Sequence, residues 1–297
     1  MPETQYNLSI HHIGGRAGTR EFPVMEAFEA NIENVLYEAD DSCIDEIKRA
    51  AGHLPSKTVV MPFCIGGSNG AANFYIYQNR YGSSMFKIAP EYSETYSYNL
   101  VFAWDNEPSS YLVDESPMLN VTTMDSIYTG KNTEASPPDF LSIDTEGAEF
   151  DILHGSRTLL AHHIIAVKAE VSFIPIRSSH KLFHEVQQFL SDNQFSLADL
   201  TVFKAEARYS RPLPIGLRGE GISGSGDALF FKTPAYPIQR QLHRCGIDLS
   251  QLWAERTGGC PSNETTPANH WVAEPVGVSF QKRKRRLCYR SAGSLSL

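Results

Sequence analysis

At 297 residues the chain is long enough for one large domain or one domain with appendages, and too long for a peptide or a small stapled scaffold. Hydrophobic residues make up 41% and charged residues 20%, which excludes wholesale disorder. The net charge is -8, and Lys282–Arg286 with Arg290 holds six of the 26 basic residues, so residues 1–281 set 20 bases against 34 acids; so acidic a body binds phosphate backbones poorly and argues against a nucleic-acid module.

No apolar run approaches the ~20 residues of a membrane span, so no membrane partner is expected. The opening MPETQYNLSIHH lacks the basic-then-apolar layout of a signal peptide. Cysteines 43, 64, 245, 260 and 288 are odd in number and scattered, as expected of reduced thiols in a cytoplasmic protein.

Tyr6–Ile13 (YNLSIHHI) predicts a buried strand ending at Gly14 and Gly15. A helix is expected from Pro23, with Val24, Phe28 and Ile32 on one face. Asn34–Tyr37 predicts a second strand ending at Glu38, and Asp41 or Ser42 caps a helix running to about Ala51. Lys57–Phe63 predicts a third strand, which Pro62 ends or bends. Ala72–Tyr77 alternates as an added antiparallel strand does. Asp139–Ile143 predicts a strand running into Asp144, and Gly147–Leu160 a helix. Ile164–Val171, Phe195–Phe203 and Asp227–Lys232 predict further strands, with a helix over Lys181–Leu190.

Strands alternating with helices predict an α/β domain, a mostly parallel sheet wound in both directions with helices on both faces. It covers residues 1–234. Residues 89–137 form an inserted flap rich in aromatics, and Pro212–Gly226 a glycine-rich connection. Residues 235–297 form a helical extension, with a helix over Ile238–Arg256, and a flexible basic tail.

In such a sheet, ligands sit at the carboxyl ends of the strands near the switch point. The residues there are His12 with Gly14, Gly15 and Gly18; Glu38 with Ala39; Cys64, Ile65 and Gly66; Asp144 with Glu146; and Glu170. Glycines let the backbone approach a ligand closely. The turn does not match G-x-G-x-x-G, because Arg16 and Thr19 occupy the third and sixth positions counted from Gly14. A carboxylate at Glu38 can accept two hydrogen bonds from the vicinal hydroxyls of a ribose. Coupled to the glycine turn, it points to an adenosine ligand. Asp144, Glu146 and Glu149 crowd together, and such packing is unfavourable unless cations, donors or protons relieve the repulsion. The dipole of the following helix accounts for Glu146 and Glu149 better than for Asp144.

Asp144–Gly155 (DTEGAEFDILHG) resembles the signature of the FkbM-family methyltransferases, which use S-adenosylmethionine (SAM). The agreement runs from about Leu8 to about Lys232. The glycines of the family's first motif, Asp-x-Gly-Ala-Asn-x-Gly, fall on Gly14 and Gly18, and its acidic second motif on Glu38. Cys64–Gly67, Gly82-Ser83-Ser84, Val121–Asp125 and Asp227–Phe231 resemble further family segments. In the first motif His12, Gly15 and Arg16 replace Asp, Ala and Asn.

The resemblance implies a class I methyltransferase fold with a Rossmann-like, seven-stranded sheet. It implies methyl transfer from SAM to a hydroxyl of a small molecule, sugar or glycan. The residues expected to bind cofactor are His12, Gly14, Gly15, Gly18, Glu38, Ala39, Cys64, Ile65, Gly66 and Asp144. A hydroxyl acceptor needs a base, and the candidates are Asp144, Glu146, Glu170 and His180, with Asp144 first. The carboxylates would also admit a divalent metal, which nothing in the sequence supports. Two other readings stay open: a non-catalytic relative that binds a ligand or partner, motivated by His12 and Arg16, and a nicotinamide-dependent dehydrogenase, disfavoured by Arg16 and Thr19.

His11 and His12 face opposite sides of their strand and do not chelate one ion together. His180 and His184 share a helical spacing and read as a surface pair. The sequence leaves the oligomeric state open.

Overall fold

A computed structural model of the chain describes residues 8–14, 29–52, 56–91, 112–130, 133, 135–205 and 222–233. Two units divide the chain, Met1–Leu249 and Ser250–Leu297, and every described element belongs to the first. The expected helices from Pro23 and over Ile238–Arg256, the aromatic positions 92–111, Gly15, Gly18 and the basic tail lie outside the described residues.

The main sheet has seven strands: β1 (Leu8–Ile13), β2 (Ile32–Tyr37), β3 (Lys57–Met61), β9 (Phe140–Ile143), β10 (Ala166–Ser172), β11 (Phe195–Ala205) and β12 (Ile222–Lys232). Their order is β11-β12-β10-β9-β1-β2-β3. β3, β2, β1, β9 and β10 run parallel, while β12 is antiparallel to both β10 and β11. The order reverses at β1, whose neighbours are β2 and β9. This is the arrangement of the class I methyltransferase fold.

A second, three-stranded sheet holds β4 (Cys64–Ile65), β5 (Gly70–Asn73) and β8 (Met118–Thr122) in the order β4-β8-β5. β6 (Ile76–Tyr77) pairs with β7 (Val113–Glu115). The single strand expected over Ala72–Tyr77 is therefore two, and both are antiparallel to partners from the inserted segment.

Five helices are described: α1 (Ile44–Ala51), α2 (Met124–Thr129), α3 (Glu149–His154), α4 (Arg157–His162) and α5 (Phe183–Asp192). Asp40 caps the 3-10 turn that leads into α1, its side chain accepting from Ser42 N. Thr123 caps α2 by accepting from Ser126 N at 3.1 Å.

Alternation decides which side chains meet which layer. Ile13, Val35, Tyr37, Leu141, Ile143, Val167 and Ala169 enter the large core with Ile152, Leu153, Leu160, Val186 and Leu190 from the helices. Leu36 packs on the other face with Cys43, Ile47 and Ala51 of the α1 region. Truncating a fully buried residue such as Leu153 to alanine costs about 2–5 kcal/mol.

Three local readings of the sequence are corrected. Ile32 opens β2 and does not extend a helical face, because it takes its place in the ladder opposite Leu8. The helix expected over Gly147–Leu160 is two helices broken at Gly155 and Ser156. A Cβ at Gly155 would lie 2.4 Å from the Gly66 carbonyl, so the break lets two backbones meet. β12 begins at Ile222, inside the expected glycine-rich connection, where Gly226 leaves room for the Thr201 carbonyl of β11.

Candidate active site

Strand register builds one edge of the sheet. Ile13 is level with Tyr37 and Ile143, Tyr37 with Met61, and Ile143 with Ala169. One residue further along each strand stand Gly14, Glu38, Asp144 and Glu170. Four positions drawn from separate segments thus share the carboxyl rim. Backbone bonds carry the ladder past the strands: Gly14 N donates to Tyr37 O at 3.1 Å, Glu38 N to Met61 O at 3.2 Å, and Asp144 N to Ile13 O at 3.0 Å.

Above this rim opens a cleft. His12, Gly14, Glu38, Ala39, Cys64, Ile65, Asp144 and Glu146 line it, so eight of the positions singled out in the sequence come together. Gly66 does not line it; its backbone packs behind, against Thr122 and Gly155.

Gly14 has a φ of +99°, a conformation L side chains rarely adopt. Glu38 is buried, and its Oε1 accepts from Asp40 N at 2.9 Å. That bond holds the carboxylate at the edge of the cleft. Burial, and then the nearby Glu38 charge, push the Cys64 thiol up to about 11, so Cys64 is a neutral, apolar lining group. His12 faces Ser142 across the strand pair, its Nδ1 lying 3.1 Å from Oγ.

The acidic loop after β9 has its own scaffold. Glu149 Oε1 accepts from Thr145 N at 2.9 Å, Thr145 Oγ1 at 2.9 Å and Gly147 N at 3.1 Å. Burial raises the affinity of Glu149 for a proton, and these donors oppose the rise. Glu149 therefore ties the loop, a role more specific than complementing a helix dipole. Glu146 precedes α3 and adopts a left-handed φ of 59°, followed by Gly147 at 115°.

Carboxylate oxygens of Asp144, Glu146 and Glu170 lie within 4.8 Å of one another. Glu170 enters a smaller cavity beside the cleft, with Glu146, Ser172 and Arg177 in its wall. Burial first, then the charges of Glu146, Asp144 and Glu149, push the Glu170 carboxyl well above the usual range. Arg177 Nη2 meets Glu146 Oε2 at 2.6 Å, so a cation already answers part of the repulsion.

His180 lines neither of the two cavities. The Glu185 side chain accepts from Leu182 N at 3.0 Å and sets the start of α5, which leaves His180 ahead of the helix that carries His184. Burial lowers the pKa of its ring, and Nδ1 lies 2.5 Å from the Arg177 carbonyl. His180 is a buried loop residue, not half of a surface pair. His11, on the opposite face of β1 from His12, packs with Tyr37 and Tyr128 and is driven down to about 3 by burial.

Sequence reasoning missed Phe63, Phe74, Arg80, Tyr81, Ser83 and Met85 as cleft residues, and Arg177 as a partner of Glu146. Ser83 was within reach, since its glycine-serine segment stood out. Arg80 is placed by β7, through Asp114 at 2.9 Å and Glu115 at 3.5 Å. Nothing in the local sequence of Arg177 marks it, because the groups its guanidinium hydrogen-bonds lie 31 to 95 residues away.

Sheet order and rim cleft together define a class I methyltransferase fold. The chain belongs to the methyltransferase FkbM domain family, whose model matches residues 24–197. No curated protein matches the chain by sequence. Among solved structures it is similar to the methyltransferase FkbM from Methylobacillus flagellatus KT, with 12% identity and a TM-score of 0.40 over 76% of this chain and 43% of that one. The chain thus spans less than half of that relative's length. Magnesium protoporphyrin IX methyltransferase from Synechocystis PCC 6803, solved with bound SAM, is 11% identical, with a TM-score of 0.34 over 77% of this chain and 72% of that one. A SAM-dependent methyltransferase from Methanosarcina mazei is 9% identical, with a TM-score of 0.36 over 77% and 93% of the two chains. No helix among the described residues is long and apolar enough to cross a membrane.

Proposed function

We propose that the chain is a SAM-dependent methyltransferase acting on a hydroxyl oxygen of a small molecule, sugar or glycan, with residues 1–234 as its methyltransferase domain. The observation that carries this reading is that Glu38 and Gly14, each one residue past the Ile13–Tyr37 pair, line the same cleft. A buried carboxylate beside backbone without a side chain suits a nucleoside, which needs an acceptor for ribose hydroxyls and close main-chain approach.

In this reading His12 and Gly14, with Gly15 and Gly18, hold the methionine end, and Glu38 holds the ribose. Ala39, Cys64 and Ile65 border the adenine, backed by Gly66. SAM bound there supplies an electrophilic methyl group on a sulfonium. Asp144 stands at the transfer position and takes the acceptor proton as the oxygen attacks. Glu146 and Glu170 bound the acceptor side. A carboxyl whose affinity for protons is raised, as that of Glu170 is, makes a stronger base than an ordinary one once ionised. The gain from holding donor and acceptor in line adds to this.

Label transfer from methyl-tritiated SAM across a panel of hydroxylated sugars and small metabolites tests the reading. Transfer to at least one hydroxyl, reduced about 100-fold or more by Asp144→Asn, is expected. Binding of SAM with no transfer to any acceptor would favour the non-catalytic reading instead.

A further inference from the structure

Three carboxylates line the cleft, those of Glu38, Asp144 and Glu146. Against them stands Arg80, the only lysine or arginine among the described residues that line it. Arg80 opens a 3-10 turn, Arg80–Gly82, which Asn79 caps by accepting from Tyr81 N at 3.2 Å. Tyr81 also lines the cleft and is 66% exposed, so its ring is open to a ligand. The turn is braced on the acidic loop. Arg177 Nη2 donates to the Gly82 carbonyl at 3.0 Å and to Glu146 Oε2 at 2.6 Å, and Ser84 Oγ donates to the Glu146 carbonyl at 2.7 Å. The ion pairs of Arg80 engage a single nitrogen: Nη2 meets Asp114 Oδ2 at 2.9 Å and Glu115 Oε1 at 3.5 Å. Nε and Nη1 have no hydrogen-bond partner among the described residues. Asp114 and Glu115 are exposed, so water and salt screen both pairs, which steady the side chain without using up its donors.

We propose that the turn Arg80–Gly82 is the recognition element for the methyl acceptor, and that the acceptor is a hydroxylated ring bearing an anionic group, a sugar acid or a sugar phosphate. Arg80 donates to the anionic group through Nε and Nη1, for which a planar guanidinium is well shaped. The Tyr81 ring packs against an apolar face of the acceptor ring. Charge then sets the orientation. The acidic rim at Asp144 and Glu146 repels the anionic group and Arg80 attracts it. The acceptor therefore enters with its acid at the turn and a neutral hydroxyl toward Asp144. The inference rests on the methyl-transfer reading and gives that reading a substrate class.

Saturation-transfer NMR of the full chain, with and without S-adenosylhomocysteine, tests it by comparing acids with their neutral parents: glucuronate and glucose 6-phosphate with glucose, and galacturonate with galactose. The wild type is expected to bind at least one acid about 10- to 100-fold more tightly than its parent, the worth of a charged hydrogen bond. Arg80→Met removes that preference, and Arg80→Lys keeps part of it. Tyr81→Ala weakens acid and parent alike, by about two- to tenfold, and leaves the preference in place. Equal affinity of the wild type for acid and parent, or a preference that survives Arg80→Met, overturns the proposal. S-adenosylhomocysteine is expected to bind Arg80→Met within about threefold of wild type. A larger loss that 5′-methylthioadenosine, which lacks the amino-acid carboxylate, does not share would assign Arg80 to the cofactor and overturn the proposal as well. Failure of the wild type to bind S-adenosylhomocysteine would sink the methyl-transfer reading, while the comparison made without it still decides whether Arg80 selects an acid.

Discussion

A Cβ added to Gly14 would sit 1.8 Å from the carbonyl oxygen of Asp144. The first and fourth parallel strands of the sheet therefore end with their backbones in contact, one residue past the last paired position. The glycine turn and the acidic loop are two sides of one joint, and the cleft opens from it.

Gly14→Ala must strain this joint twice, through φ of +99° and through the collision. A loss of about 3 kcal/mol or more is expected, which for a domain of this size is roughly 6–12 °C in melting temperature. Thermal melting of the purified variant checks it; a melting point within 2–3 °C of wild type, the shift of about 1 kcal/mol, would mean that the joint is looser than described.

Glu149→Ala is expected to free the acidic loop. Thr145 and Gly147 would lose the shared oxygen that holds them, and three donors would lose their partner. The expected loss is about 3 kcal/mol, with Glu149→Gln recovering part of it because an amide oxygen still accepts. Chemical denaturation of the two variants distinguishes them.

His11 makes stability depend on acid. Its ring is neutral in the folded chain down to about pH 3, whereas an unfolded histidine takes a proton near 6.5. Between those values the unfolded chain binds more protons, so stability falls as pH drops through the window and is complete above its upper end. His11→Gln should flatten the fall by a few kcal/mol at most. Denaturation curves between pH 4 and 7 measure it; equal slopes for variant and wild type would contradict the assignment.

The rim could be read from the sequence because each strand stops at a chemically distinct residue. Ile13, Tyr37 and Ile143 are the last apolar positions of their strands, and Gly14, Glu38 and Asp144 follow directly. Register then brings those positions together without further information. The cleft wall over residues 74–85 was harder to read. Phe74, Arg80 and Met85 are placed by short strands whose partners come from the inserted segment, and no local pattern records those pairings. The break at Gly155 was hidden for a similar reason, since an apolar helical spacing continues across it and only the Gly66 carbonyl reveals the contact. Arg177 depends on three separate segments converging, 82–86, the Glu146 loop and its own, which no spacing rule expresses.

Titration calorimetry of the wild-type chain and of Glu38→Ala with S-adenosylhomocysteine tests the central claim most directly. Saturable binding at one site is expected for the wild type, weakened about 10- to 100-fold by the substitution, as the loss of a charged hydrogen-bond acceptor implies. Absence of heat with the wild type, or equal affinity for both proteins, would contradict the account.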